Sequence, residues 1–382
     1  MIDLETMSIL VVDDMKSMRL TIRKMLQNLG IGKTLRVAEN GKEGLAILNT
    51  TPCDLAIVDW NMPIMNGTQM LLSMRKDKAL RDIPVIILTA ENKRDVVSEV
   101  AEIEIDAYLL KPLTLESLDR KIRAVVDNAN HPDDATRHLL NARALEEAED
   151  FEGAIEQTRL ALIYKPSASR ILRKMGLLHF KIDKPGIGEK CLQKAVAVNG
   201  QDIASRELLV RFYLEKKEYD KAAGICLEIL GLSTRYVEEA MDLGENLMRH
   251  GYKTRAIELF SRLVSRYWKN NELKERIIDI CLENQAYDYL KKLLEQSIRE
   301  NPANWELVYK AGLVYQEMGD HEQAMESFKR VDLHEKGHVE SKLQIARLYH
   351  AQGKIFQADD FLNQILRMDP KNREALLLRS QL

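Results

Sequence analysis

Hydrophobic and polar residues follow two different periodic patterns along this chain. Over about the first 127 residues, short apolar runs alternate with segments whose apolar residues recur at helical spacing. The apolar runs predict strands at 8–12, 34–37, 54–59, 84–88 and 107–110. The periodic segments predict helices at 17–29, 41–48, 68–75, 94–100 and 115–126. This alternation favours a doubly wound parallel sheet, because each helical crossover returns the next strand to the same direction.

The second pattern is a repeat with a period of 34 residues, which begins after a short non-periodic segment. Residues 128–134, rich in Asn, Asp and Pro, interrupt the helical pattern and predict a linker. A column that is alanine at five of its seven positions then recurs at the repeat interval, and its small residues are expected where paired helices cross closely: Ala154, Gly188, Ala222, Ala256, Leu290, Ala324 and Ala358. A column of mostly small residues, including Gly176, Gly244 and Gly312, keeps the same interval, and so does a column of larger ones that includes Tyr213, Tyr315 and Tyr349. Over 135–382, the columns predict seven helix-turn-helix units starting at residues 135, 169, 203, 237, 271, 305 and 339, and a final helix near 373–382.

Polar residues that suit phosphoryl chemistry follow four of the predicted strands. Asp13 and Asp14 follow the first strand, Asp59 ends the third, and Thr89 and Lys111 follow the last two. In a flavodoxin-like (βα)5 sheet these strand ends meet at one edge. Carboxylates this close repel one another unless a cation neutralises them, and Mg²⁺ prefers carboxylate and water oxygens. With Lys111 as a fixed positive charge and Thr89 as a hydrogen-bond donor, the group suits an incoming phosphoryl group.

Five separated motifs resemble the receiver domain of two-component response regulators, particularly that of chemotaxis regulators: Asp13-Asp14, Asp59-Trp60-Asn61-Met62-Pro63, Thr89-Ala90-Glu91, Tyr108 and Lys111-Pro112. The resemblance covers residues 1–127 and implies that Asp59 accepts a phosphoryl group from a histidine kinase or a phosphotransfer protein. It further implies four roles: Mg²⁺ binding by Asp13, Asp14, Asp59 and Asn61; phosphoryl binding by Thr89 and Lys111; an inward switch by Tyr108; and control of the hydrolytic water by Asn61 and Glu91.

The 34-residue period resembles the tetratricopeptide repeat, a helix-turn-helix unit of that length, although an α-solenoid of another family stays open. Such solenoids chiefly bind proteins or peptides on a concave face. The repeat register places six first-helix residues in this groove, or on a solvated polar face: Arg173, Arg211, Glu245, Asp279, Tyr309 and Arg347. The Lys/Asn clamp with which some tetratricopeptide proteins grip a C-terminal carboxylate is not evident at matching positions.

Composition and charge exclude several other classes. The formal net charge of -3 lacks the basic excess typical of nucleic-acid binding, and no helix-turn-helix motif of the DNA-binding kind follows the linker. The four cysteines are scattered without metal-ligand spacing. No apolar run is long enough to span a bilayer, and residues 1–5 do not form a secretion signal, so a cytoplasmic location is expected.

These observations predict a response regulator, not an enzyme, in which Mg²⁺-dependent phosphorylation of Asp59 controls protein binding by the repeats. Two alternatives stay open: a constitutive scaffold that the receiver localises, and a phosphatase or hydrolase that acts in signalling. RNA binding by the solenoid also stays open. The apolar last helix, with Leu376 and Leu377, is compatible with a homodimer.

Overall fold

The computed structural model describes residues 1–90, 105–234 and 236–382. The chain divides into two compact units, Met1–Phe212 and Tyr213–Leu382, which we call the first and second units and describe separately. The division inferred from sequence, with a receiver over 1–127, a linker over 128–134 and a solenoid over 135–382, stays a prediction. None of the helices in the described ranges combines the length and apolar character that crossing a membrane requires.

The first unit begins with a five-stranded parallel sheet in the order β2-β1-β3-β4-β5. Its strands are β1 (Ser8–Val12), β2 (Thr34–Ala38), β3 (Leu55–Asp59), β4 (Val85–Thr89) and β5 (Ala107–Leu110). The five predicted strands and the flavodoxin-like fold class are therefore confirmed. Every residue of β3 and β4 is buried. Burial on both faces explains why these two strands are unbroken apolar runs in the sequence.

Helices cover the sheet on both sides. They are α1 (Lys16–Leu29), α2 (Gly41–Thr50), α3 (Gly67–Lys76) and α4 (Leu115–Asn130). Successive strand residues point to opposite faces, so Ile57 joins the core with Ile22 and Ile122, whereas Val58 joins the core with Met70. The helix predicted at 94–100 lies outside the described residues.

Helix α4 continues four residues beyond its predicted end at residue 126 and includes the first part of the predicted linker. The reason is a contact with the start of the chain. Asn130 accepts a hydrogen bond from the backbone N–H of Ile2 at 2.7 Å and donates one to the Ile2 carbonyl at 2.8 Å. This pair of hydrogen bonds fixes Asn130 in the helix although asparagine is a weak helix former. The next helix begins at Asp134.

The rest of the chain is a succession of helix pairs. The first unit contains α5 (Asp134–Glu147), α6 (Phe151–Tyr164), α7 (Ser169–Lys181) and α8 (Pro185–Val198), and α9 (Ile203–Glu215) extends from it into the second unit. The second unit continues with α10 (Tyr219–Leu232), α11 (Val237–Arg249), α12 (Lys253–Arg266), α13 (Asn271–Glu283), α14 (Tyr287–Glu300), α15 (Trp305–Glu317), α16 (His321–His334), α17 (Val339–Ala351), α18 (Ile355–Met368) and α19 (Arg373–Arg379). First helices start at residues 169, 203, 237, 271, 305 and 339, as the sequence columns predict.

Two glycines of the small-residue column, Gly244 and Gly312, mark close crossings within their helix pairs. A Cβ atom added to Gly312 would lie 2.5 Å from Cε1 of Phe328, and one added to Gly244 would collide with Phe260. The phenyl ring therefore occupies the space that the missing side chain leaves. The predicted combination of small residues at crossings and large residues between them is confirmed at these pairs.

Candidate functional site

Backbone pairing brings the predicted strand ends to one edge of the sheet. Trp60 N–H donates to the Leu88 carbonyl at 2.8 Å, and Lys111 N–H donates to the Thr89 carbonyl at 2.8 Å. These bonds extend the sheet one residue beyond β3 and β5. As a result, Asp59 and Lys111 emerge on either side of β4 at the carboxyl-terminal edge, where open α/β sheets place their ligands.

Lys111 bridges two buried carboxylates at this edge. Its Nζ atom lies 2.9 Å from Oδ2 of Asp13 and 2.7 Å from Oδ1 of Asp59. The Asp13 and Asp59 side chains are 0% and 8% exposed, and that of Lys111 is 16% exposed. The ammonium group thus partly neutralises two charges that would otherwise repel each other in a weakly solvated setting.

Burial and pairing shift the protonation equilibria of the central pair. Burial raises the pKa of Asp59 above its ordinary value, and the hydrogen bond from Lys111 offsets this rise only in part. Burial also disfavours the charged form of Lys111, but its hydrogen bonds to Asp59 and Asp13 outweigh that effect and raise its pKa. Lys111 is therefore a permanent positive charge at neutral pH. The Asp59 carboxylate is more basic than a solvated aspartate.

Three carboxylates at this edge form a group that can hold a metal ion. Oxygen atoms of Asp13, Asp14 and Asp59 lie within 4.8 Å of one another, with Asp14 exposed and the other two buried. Carboxylate oxygens are the ligands that Mg²⁺ prefers, and Mg²⁺ usually keeps several waters. The exposed side of Asp14 leaves access for those waters, so this donor set fits Mg²⁺.

Arg19 positions the acidic loop after β1, a role that the sequence reading missed. Its Nη1 atom donates to the carbonyl of Asp13 at 2.7 Å and to that of Asp14 at 3.2 Å, and its Nη2 atom lies 2.5 Å from Glu39. Arg19 is only 7% exposed. The sequence offers one weak signal for this role, because Arg19 is a charged residue whose neighbours at helical spacing are apolar. That signal does not identify the groups that Arg19 contacts.

The loop after β3 folds tightly against the backbone of Asp59. Gly67 N–H donates to the Trp60 carbonyl at 3.0 Å, and a Cβ at Gly67 would collide with the carbonyl oxygen of Asp59. Asn66 caps α3 by accepting a hydrogen bond from Gln69 N–H at 2.9 Å. Within this loop Ile64 has a φ of 69°, a left-handed conformation that is strained for a β-branched residue. Gly67 is thus required at its position, whereas Ile64 is not suited to its own.

The other predicted receiver residues occupy different surroundings. Thr89 is buried at the end of β4, 4% exposed. Tyr108 is 45% exposed on β5, and Nζ of Lys121 lies 5.9 Å from its ring centroid. Asn61 is exposed in the loop after β3. Glu91 lies outside the described residues. The roles of all four stay predictions.

Most of the six residues predicted to line the repeat groove are held by neighbours within the chain. Arg173 lies 2.5 Å from Asp202, Asp279 lies 2.5 Å from Lys310, and Arg347 lies 2.7 Å from Glu374. Glu245 pairs with Arg249, the ring of Tyr309 packs against Phe328 and His338, and Arg211 is exposed. The contacts of Arg173, Asp279, Arg347 and Tyr309 reach beyond their own helices, whereas Glu245 pairs within α11. Structural pairing therefore accounts for several of these charges.

Known proteins match the two parts of the chain separately. Residues 9–123 match the family described as response regulator receiver domain, and residues 315–382 match a tetratricopeptide repeat family. The chain is 38% identical over 124 residues to chemotaxis protein CheY of Pseudomonas aeruginosa, a match that covers 32% of this chain and 99% of that protein. It is 35% identical over 123 residues to CheY-3 of Vibrio cholerae, covering 32% of this chain and 94% of the relative.

Solved structures are similar to the same parts. The chemotaxis response regulator CheY4 of Vibrio cholerae is 28% identical with a TM-score of 0.30, covering 31% of this chain and 98% of that one. A tetratricopeptide repeat protein from Parabacteroides merdae is 16% identical with a TM-score of 0.32, covering 65% of this chain and 98% of that one.

Proposed function

The chain belongs to the response regulator receiver domain family through residues 9–123, and from this premise we propose that Asp59 accepts a phosphoryl group in an Mg²⁺-dependent reaction. The donor is the phosphohistidine of a histidine kinase or a phosphotransfer protein. The observation that carries the proposal is the position of Lys111, whose Nζ atom lies within 2.9 Å of both Asp13 and Asp59. A carboxylate nucleophile, a fixed cation and a metal-binding group at one sheet edge are what phosphoryl transfer requires.

The chemistry follows from the charges at this edge. An oxygen of the Asp59 carboxylate forms a bond to phosphorus while the bond between phosphorus and the histidine nitrogen breaks, and the nitrogen keeps the electron pair. Lys111 holds the carboxylate and donates hydrogen bonds to the phosphoryl oxygens as they arrive. Asp13, Asp14 and Asp59, with the Asn61 carbonyl, are the proposed ligands of Mg²⁺. When bound, the metal neutralises charge on the transferred group.

The remaining receiver residues complete the proposal. The Thr89 hydroxyl contacts the phosphoryl group, and Tyr108 moves from its exposed position toward the space that Thr89 vacates. Asn61 and Glu91 control the approach of the water that hydrolyses the acyl phosphate. The exposed ring of Tyr108 supports a movable role, because little packing has to be lost for it to turn inward.

The output that we propose is protein binding by the helix pairs, in a cytoplasmic protein. Stacked helix pairs form extended binding surfaces, and the tetratricopeptide match at residues 315–382 supports this use. A contact that favours the phosphorylated state by about 1.4 kcal/mol changes the ratio of the two receiver states tenfold, so modest coupling is sufficient for regulation.

Phosphorylation is tested on the full chain with acetyl phosphate and Mg²⁺, followed by intact mass and by Trp60 fluorescence with Trp268 and Trp305 replaced by Phe. We expect one added phosphoryl group in the wild type and none in Asp59→Asn. The matched control is Asp54→Asn, because Asp54 lies at the opposite end of the same strand, where it accepts from Ser8 N–H at 2.7 Å. Equal phosphorylation of wild type and Asp59→Asn would refute the proposal.

Regulation of the output needs a second experiment. A pull-down from the native cell compares phosphorylated wild type with Asp59→Asn. Partners that depend on phosphorylation support the proposal. Identical partners and affinities would instead support a constitutive scaffold that the receiver localises.

A further inference from the structure

A basic groove lies between α5 and α7, the first helices of the first two pairs in the first unit. Its cavity measures about 260 Å³. Arg143, Arg170, Arg173 and Lys174 line it together with Leu139, Ile171 and Leu177. Four of its seven lining residues are cationic, and the lining contains neither a carboxylate nor an aromatic ring. We call this cavity the basic groove.

Three of the four cations are held in place by carboxylates outside the lining. Arg173 lies 2.5 Å from Asp202, Lys174 lies 2.6 Å from Glu146, and Arg143 lies 2.6 Å from Asp82. These pairs fix the direction of the long side chains, so a ligand that uses them loses less conformational entropy on binding. A guanidinium group has five N–H donors, and one carboxylate does not use them all.

Arg170 is the surplus charge of the basic groove. It is exposed, and within residues 1–90, 105–234 and 236–382 no hydrogen bond or ion pair engages its side chain. Arg170 therefore adds a positive charge, beside the aliphatic side chains of Leu139 and Leu177, to a lining that contains no carboxylate.

We propose that the basic groove binds an extended acidic peptide segment of a partner protein, with carboxylates against the arginines and aliphatic side chains against Leu139 and Leu177. This inference deepens the proposed function, on which it rests, by naming the chemistry of the partner. The volume is close to the lower end of ordinary ligand pockets and suits a few side chains of an extended chain. Single-stranded nucleic acid is disfavoured, because such sites usually add aromatic rings on which bases stack.

The basic groove is linked to the receiver sheet through Arg143. Its partner Asp82 lies in the loop between α3 and β4, where Arg81 pairs with Glu147 of α5 and Lys78 lies 4.0 Å from the same carboxylate. Strand β4 begins at Val85, three residues after Asp82, and ends at Thr89. A peptide carboxylate that binds Arg143 competes with Asp82, so occupancy of the groove and contact with the receiver influence each other reciprocally.

Binding is tested with the unphosphorylated full chain and a short fluorescein-labelled peptide of alternating glutamate and leucine, by fluorescence polarisation. Arg170→Glu should weaken binding at least about tenfold, because it replaces an attraction with a repulsion without breaking an ion pair. The control is Lys190→Glu, the same charge reversal at an exposed position on α8, which should change the affinity less than about twofold. A peptide of glutamine and leucine should not bind.

Equal effects of Arg170→Glu and Lys190→Glu, or equal binding of the glutamine peptide, would overturn the proposal. Binding of an oligouridine in place of the acidic peptide would overturn it in favour of RNA. Asp82→Asn should tighten peptide binding severalfold, since it removes a carboxylate that competes with the peptide for Arg143, and an unchanged affinity would remove the link to the receiver. The Asp59→Asn variant should bind the peptide with the affinity of the unphosphorylated wild type. This result separates the inference from the proposed phosphorylation, because phosphorylation is tested independently by the mass measurement.

Discussion

The Nζ atom of Lys111 lies 2.7 Å from Oδ1 of Asp59, and the same ammonium group contacts Asp13. Lys111→Met should therefore leave two neighbouring buried carboxylates without their cation and destabilise the receiver part by about 2 kcal/mol at pH 7. Mg²⁺ should restore more of the thermal midpoint in this variant than in the wild type. Trp60 fluorescence in a background with Trp268 and Trp305 replaced by Phe reports the transition. Lys24→Met, which removes an exposed lysine of α1, is the control, and equal losses in both variants would contradict the prediction.

Asp59→Asn should stabilise the receiver part at neutral pH. Burial raises the pKa of Asp59, so the folded state binds its proton more tightly than the unfolded state does, and stability is lost as pH rises through the interval between the two pKa values. The stability gained through Asp59→Asn should be small at a pH near 3.8, the ordinary pKa of the carboxyl group. This gain should increase with pH and then level off. Thermal unfolding between about pH 4.5 and 8, without Mg²⁺, measures this difference. A gain that decreases as pH rises would show the opposite shift.

Ile64→Asn should stabilise the protein by about 1 kcal/mol, because asparagine tolerates the left-handed backbone that isoleucine resists. Ile64 is 79% exposed, so little packing is lost. Chemical unfolding followed by Trp60 fluorescence, with Trp268 and Trp305 replaced by Phe, gives the free energy of unfolding. Ile64→Val keeps the β-branch and should give no gain, and a gain in both variants would point to a cause other than the backbone.

The turns within the helix pairs place one left-handed residue at the same repeat position each time. These residues are Glu149, Asp183, Lys217, Gly251, Gln285, Gly319 and Gly353. Gln285→Gly should stabilise the second unit by about 1 kcal/mol, and Gly251→Ala should destabilise it by a similar amount, because a Cβ disfavours this conformation. Unfolding is followed by Trp268 and Trp305 fluorescence with Trp60 replaced by Phe. A loss of stability in Gln285→Gly would mean that the glutamine side chain contributes more than its backbone strain costs.

Gly312→Ala should destabilise the second unit by about 1 to 3 kcal/mol, because the new Cβ would lie 2.5 Å from the ring of Phe328. Gly224→Ala is the matched control within α10, since a Cβ there meets no atom within 4 Å. That control should stabilise its helix by about 1 kcal/mol. The same fluorescence measurement applies, and similar effects of the two substitutions would exclude the close crossing as the cause.

Local sequence patterns were sufficient to predict the strands and helices of the described residues. Strands β3 and β4 are apolar runs because both of their faces are covered, and the helix pairs begin at intervals of 34 residues because the same crossing recurs in each pair. The left-handed turn position keeps that interval as well, but only Gly251, Gly319 and Gly353 reveal it in the sequence. At Glu149 and Gln285 the residue type conceals the backbone conformation, since the contacts of the repeat impose it.

By itself, the sequence determined that Asp13, Asp59 and Lys111 stand at the ends of strands in one parallel sheet, since the alternation of strands and helices is a consequence of local burial. Only the tertiary structure decided which side chains pair. Lys111 meets Asp13 across 98 positions of sequence, and Asn130 extends α4 by bonding to Ile2 across 128. Likewise, Arg143 of the basic groove meets Asp82, 61 positions earlier. Such pairs depend on distant segments meeting at hydrogen-bond distance, a condition that periodicity does not encode.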